Sequence, residues 1–105
     1  MSVRISQFRQ KLKSSPNNQL FRYSLAQSLF EEGDLEEAVV HFLKCLELRA
    51  DWMLVALYLG KAYIEKQDYP EAEKYLKLTI NLGLKQNHMD PVDEAKELLG
   101  AIPLS

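Results

Sequence analysis

The chain has 105 residues, of which 47% are hydrophobic and 27% charged, and a formal net charge of −2. That length suits one domain burying roughly 60–70% of its unfolded surface without staples, and the aliphatic content with only four glycines and four prolines argues against disorder. A single cysteine, Cys45, excludes an internal disulfide framework and fits a reducing compartment, while no stretch approaches the roughly 18 apolar residues of a membrane span.

The N-terminus, Met1 to Gln10, lacks the continuous apolar core of a secretory signal, so a soluble, cytoplasmic chain is expected. Charge is segregated. Arg4, Arg9, Lys11, Lys13 and Arg22 all precede the first acid, Glu31, and eight further Lys/Arg then face fifteen Asp/Glu. A first helix near 3–13 carries Ile5, Phe8 and Leu12 at i, i+3, i+7, a stripe that predicts docking with its charges outward. A second helix is expected near 19–32 and a third near 35–48. Between them Gly33 suits a left-handed C-terminal cap, and Asp34 an N-cap with Glu37 three residues on. A fourth helix, near 52–66, contains Gly60, which costs about 1 kcal/mol against alanine and so needs a packing reason. Asp68-Tyr69-Pro70-Glu71 opens a fifth, near 70–82, with Gly83 as its C-terminal cap. After a longer link, Leu84–Met89, Asp90-Pro91 opens a sixth, near 91–100. Short connections between neighbours predict an antiparallel helical array.

The chain also repeats itself. Leu25-Ala26 recurs as Leu59-Gly60, Asp34 as Asp68, Glu37-Ala38 as Glu71-Ala72 and Leu48 as Leu82, each at an offset of 34. A period of 34 over a helix–turn–helix unit is that of tetratricopeptide repeats. The residues resemble that family too: Leu59-Gly60, Tyr63 and Ala72 in one copy, Leu25-Ala26, Leu29, Ala38 and Phe42 in the other, with Phe8 and Pro16 extending the frame backward. Arg22 and Ala56 stand where the family has a tryptophan, and Ala50 replaces a closing proline. The resemblance implies one all-α domain over 1–105, a right-handed superhelix of antiparallel repeats. It comprises a half repeat (3–18), two full repeats (19–52 and 53–86) and a C-terminal capping helix (90–101) that covers the last repeat near Tyr75, Leu76 and Thr79. Small residues at Ala26, Gly60, Ala38 and Ala72 would then mark close helix contacts.

The catalytic inventory is poor. His41 and His88 are far apart, one cysteine cannot build a multi-thiolate zinc site, and Cys45 sits on an apolar helix side. Glycine-rich phosphate loops and a Gly-x-Ser-x-Gly elbow are absent from the sequence. A non-enzyme with no cofactor and no metal is expected. The fourth helix is apolar on two faces, which requires cover on both or a binding surface. By register with the repeat family, a concave groove would be lined by Leu20, Tyr23, Gln27, Phe30, Leu54, Leu57, Lys61 and Ile64. Tyr23 and Gln27 occupy the places of a chaperone-type carboxylate clamp, so a hydrophobic peptide or amphipathic helix is the better expected ligand. The expected function is therefore protein–protein interaction, with a peptide or protein partner, or a homodimer buried on the same surface. Nucleic-acid or anionic-surface binding through the basic N-terminal helix is the alternative. It requires the five early cations to converge on one face.

Overall fold

A computed structural model describes residues 2–103. Those residues form six α-helices and no strand: α1 (Val3–Ser14), α2 (Gln19–Glu31), α3 (Leu35–Leu48), α4 (Met53–Glu65), α5 (Tyr69–Gln86) and α6 (Met89–Ala101). The chain divides into two compact units, the first running to Ala50 and the second starting at Asp51.

In the first unit α2 and α3 form an antiparallel hairpin, and α1 packs on α2. Asn18 starts α2 by accepting from the Phe21 N–H at 2.9 Å. The turn into α3 uses Gly33 at φ +86°, and Asp34 N–H closes onto Leu29 O at 2.9 Å. Left-handed backbone of this kind suits a residue without a Cβ. Asp34 then accepts from the Glu37 N–H at 3.4 Å, satisfying one of the orphan donors of α3. The hairpin closes over Leu25, Ala26, Leu29, Ala38, Val39, Phe42 and Cys45, all buried. Tyr23 meets Phe42 edge-on, with ring centroids 6.2 Å apart. On α1, Ile5 is buried while Phe8 and Leu12 are half-buried, as the apolar stripe predicts.

The second unit repeats the hairpin in α4 and α5, then adds α6 against both. Its turn follows the same plan with one substitution. Gln67 takes the left-handed place of Gly33, at φ +61°, and Asp68 accepts from the Glu71 N–H at 3.4 Å. Ala26 and Gly60, and likewise Ala38 and Ala72, are buried at equivalent positions. A Cβ built on Gly60 would lie 2.6 Å from Leu76 Cδ2, so the glycine lets α4 approach α5. That close approach is the packing reason for a residue that weakens its own helix.

Three local expectations are corrected. Gly83 does not end α5. The helix continues to Gln86, and Asn87, at φ +58°, supplies the left-handed cap. Gly83 is instead a contact glycine, where a Cβ would collide with Val92 of α6. The expected long link therefore shrinks to Asn87 and His88, because α5 runs on through Gly83 to Gln86. Finally, α6 starts at Met89 behind an N-cap at His88, which places Asp90 inside the first turn rather than before it.

α6 lays one apolar side on the hairpin. Val92 and Ala95 are fully buried, and Leu98 and Leu99 pack beside the cluster of Leu57, Leu76 and Ala95. A second cluster joins Met53, Ala56 and Leu82, with Leu78 against it. Thr79, fully buried, keeps its hydroxyl satisfied by donating to Tyr75 O at 2.8 Å.

Candidate partner-binding surface

The eight residues expected to line a groove fare differently in the two units. In the first, Leu20 is 66% exposed, and Tyr23, Gln27 and Phe30 are half-buried along α2. In the second, Leu54 is 42% exposed, but Leu57 is only 5% exposed and belongs to the core built by Leu76 and Ala95. Ile64 is half-buried against that cluster. Lys61 pairs with Glu94 of α6, and its ammonium lies 5.6 Å from the Tyr58 ring centroid. Leu57 is thus corrected from a groove residue to a core residue. The expectation that α6 caps the hairpin while leaving Leu57 and Ile64 open fails for the same reason: α6 packs on α4 as well as α5. A sequence shows that α4 is apolar on two faces; it does not show which face the last helix takes.

Leu20 and Leu54 remain. They sit 34 residues apart, each in the first turn of the leading helix of its hairpin, and both are exposed.

A polar network in the first unit was not legible in the sequence. Arg9 of α1 makes a bidentate pair with Glu37 of α3, one of its bonds at 2.8 Å. Glu37 Oε2 lies 3.4 Å from His41 Nε2, and His41 Nδ1 lies 3.1 Å from an Arg22 terminal nitrogen. The other Arg22 terminal nitrogen donates to Pro16 O at 3.0 Å. Because Arg22 can only donate, His41 Nδ1 accepts, and the imidazole proton sits on Nε2 toward Glu37. Burial holds the His41 pKa below its ordinary value, against the upward pull of Glu37 and alongside the charge of Arg22. The hydrogen bond from Arg9, reinforced by its charge, holds the Glu37 carboxyl below the usual range. Glu37 therefore does not reach back to complete a capping box; its carboxylate serves Arg9 and His41. The i, i+4 spacing of Glu37 and His41 is the one trace of this in the sequence.

Beside the network lies an open cavity of about 730 Å³ in the first unit, with Arg9, Lys13, Arg22 and His41 among its polar lining and Leu12 and Leu25 among its apolar lining. The five early cations do not all stay available to an anionic surface. Arg4 pairs with Glu31 at 3.6 Å, Arg9 with Glu37, and Lys11 lies over the rings of Phe8 and Phe21.

Among the described residues no cluster of three or more His, Cys, Asp or Glu could hold a metal, and no helix is long and apolar enough to cross a membrane. Cys45 is fully buried, and burial pushes its pKa up to about 11, which leaves the thiol protonated and unreactive at neutral pH.

Comparison with known proteins adds a family and a fold. The family model described as RMD1-3, Regulator of microtubule dynamics protein 1-3, matches residues 9–102. No curated protein matches the chain. Among solved structures, the solution structure of protein BPP2914 from Bordetella parapertussis is similar with a TM-score of 0.85 and 18% identity, over 97% of this chain and 89% of that one. At that identity the likeness is one of fold.

Proposed function

The chain belongs to the regulator of microtubule dynamics protein 1-3 family, and from that premise we propose that it is a non-catalytic, tetratricopeptide-like module that acts by binding a protein partner in the cytoplasm. The observation that carries this reading is the matched pair Leu20 and Leu54. Each hairpin exposes a leucine at the same register position, at 66% and 42%, next to half-buried apolar neighbours on its own helix. Large exposed leucines that recur at one position of each hairpin are the feature expected of a contact point on each unit rather than of scattered surface atoms. The cost of leaving each in water is recovered when a hydrophobic peptide or amphipathic helix covers it.

The family's name makes microtubules the first partner to test. Purified protein is co-sedimented with polymerised tubulin, with Leu20→Asp and Leu54→Asp variants beside the wild type. The expected result is co-pelleting of the wild type that both substitutions weaken while helix content and thermal unfolding stay unchanged. Equal pelleting of all three proteins removes the leucines from the contact. Absence of pelleting, together with a concentration-dependent dimer that the substitutions dissolve, assigns the same surface to a second copy of the chain.

A further inference from the structure

The cavity of the first unit stands apart from the exposed leucines and has its own chemistry. Arg22 is half-buried in it, yet its guanidinium has no carboxylate partner among the described residues. Its terminal nitrogens meet a backbone carbonyl and His41, and its buried Nε–H has no acceptor among the described residues. An arginine left with neutral acceptors in a half-buried site is a charge awaiting a counter-ion. Lys13, on α1, lines the same cavity, is exposed, and has no ion pair among the described residues.

The hairpin itself does not demand this arrangement. At the equivalent positions of the second hairpin, 34 residues on, Ala56 replaces Arg22 and Tyr75 replaces His41, and both are buried. Arg22 with its His41 partner is thus an addition to the first unit, not a packing requirement of the repeat.

We propose that this cavity binds an acidic peptide segment of a protein partner, with Arg22 and Lys13 taking its carboxylates. Shape separates a peptide from a compact anion. Ser6, Arg9, Gln10 and Lys13 share one side of α1 and run about 10 Å along it, at the helical rise per residue. The space, about 730 Å³, is many times that of one small ion. Leu12 and Leu25 supply apolar wall for the methylenes between carboxylates. Arg9 is already spoken for by Glu37, so it borders the site rather than opening it. A guanidinium held by Pro16 O and His41 is also pre-oriented, which lowers the ordering cost of a carboxylate contact.

The test measures fluorescence anisotropy of a labelled oligoglutamate peptide titrated with the full chain. Binding should be saturable and weaken as salt rises. Lys13→Glu and Arg22→Gln should each raise Kd by roughly tenfold or more. Lys85→Glu, the same charge change on α5 of the other unit, should leave Kd unchanged, as should Leu20→Asp, which separates this site from the apolar one. Thermal unfolding is recorded for each variant; if Arg22→Gln lowers stability, the exposed Lys13→Glu decides. Equal weakening by Lys13→Glu and Lys85→Glu would show only a general charge effect and overturn the site. Retained binding in Lys13→Glu would do the same. Binding to vesicles of phosphatidylcholine and phosphatidylserine, lost in Lys13→Glu, without binding of the peptide would overturn the assignment to a protein partner.

Discussion

Gln67 and Gly33 are the same structural position occupied by different residues. Both have positive φ, +61° and +86°, because each hairpin turns through one left-handed residue before its aspartate cap. A side chain there costs about 1–2 kcal/mol in local sterics, part of which a glycine returns as unfolded-state entropy. Gln67→Gly should therefore stabilise by about 0.5–1 kcal/mol, and Gly33→Ala should destabilise by a similar or larger amount. Chemical denaturation of the two variants checks this, and a destabilising Gln67→Gly defeats the account. The two contact glycines differ in a testable way. At Gly60 the added methyl meets the side chain of Leu76, whereas at Gly83 it meets β-branched Val92 and, at 3.1 Å, the backbone carbonyl of His88. Stiff side chain and backbone give way less than a leucine end. Gly83→Ala should therefore cost more than Gly60→Ala, within the roughly 1–3 kcal/mol typical of overpacking. Equal melting temperatures for the two variants would contradict that ordering.

At the scale of the element, α6 does two jobs that its amphipathic stripe alone does not distinguish. Its Val92 and Ala95 side covers α5, and contact with α4 buries Leu57 and engages Lys61 through Glu94. The salt bridge is partly exposed and contributes little on its own. Re-exposure of Leu57 and Leu76 dominates, at about 1.5–3 kcal/mol for each side chain fully returned to water. Truncation after Gln86 should accordingly lower stability by at least about 3 kcal/mol, measured by urea unfolding. Lys61→Met, by comparison, should change it by under about 1 kcal/mol. A truncated chain as stable as the parent would mean that α6 is an appendage. The first hairpin has its own flanking helix in α1, whose Ile5 is buried although most of the helix surface is polar. Each hairpin thus has a flanking helix of its own, since a hairpin cannot bury both of its sides alone.

On the scale of the whole molecule, a net charge of −2 conceals a basic beginning and an acidic remainder. Their meeting within the first unit governs its response to acid. The His41 pKa lies below its unfolded value, so between that value, about 6.5, and its lower folded one the unfolded chain binds the extra proton. Stability contributed by neutral His41 is therefore complete above about pH 6.5 and is lost as pH falls through that window. Glu37, also depressed, adds a second loss at lower pH, as the unfolded carboxylate begins to protonate near its ordinary value of 4.5. The melting temperature should begin to fall as pH drops below about 6.5, and His41→Gln should flatten that part of the curve while keeping the acid limb from Glu37. Equal slopes in the two proteins would show that His41 does not carry the upper step.

Much of the fold was written locally. Helix positions followed from apolar spacing and, for α3 and α5, from Asp34 and Asp68 at their starts, whereas the Asn18 cap of α2 carried no such reading. The offset of 34 anticipated two hairpins with matching caps and matching small contacts, because each feature depends on residues a few places apart along one chain segment. The structure decided what depends on a neighbour from elsewhere. Gly83 read as a cap until Val92 was found where its Cβ would stand, and Leu57 read as surface until α6 buried it. Arg9 and Glu37, 28 residues apart, look like ordinary surface charges until α1 packs on α2 and Arg9 reaches across to α3. Backbone capping and side-chain periodicity are short-range and leave their mark in consecutive residues. The face a helix buries and the charge it meets are long-range, and are set when packing selects one of several apolar sides that the sequence leaves equally available.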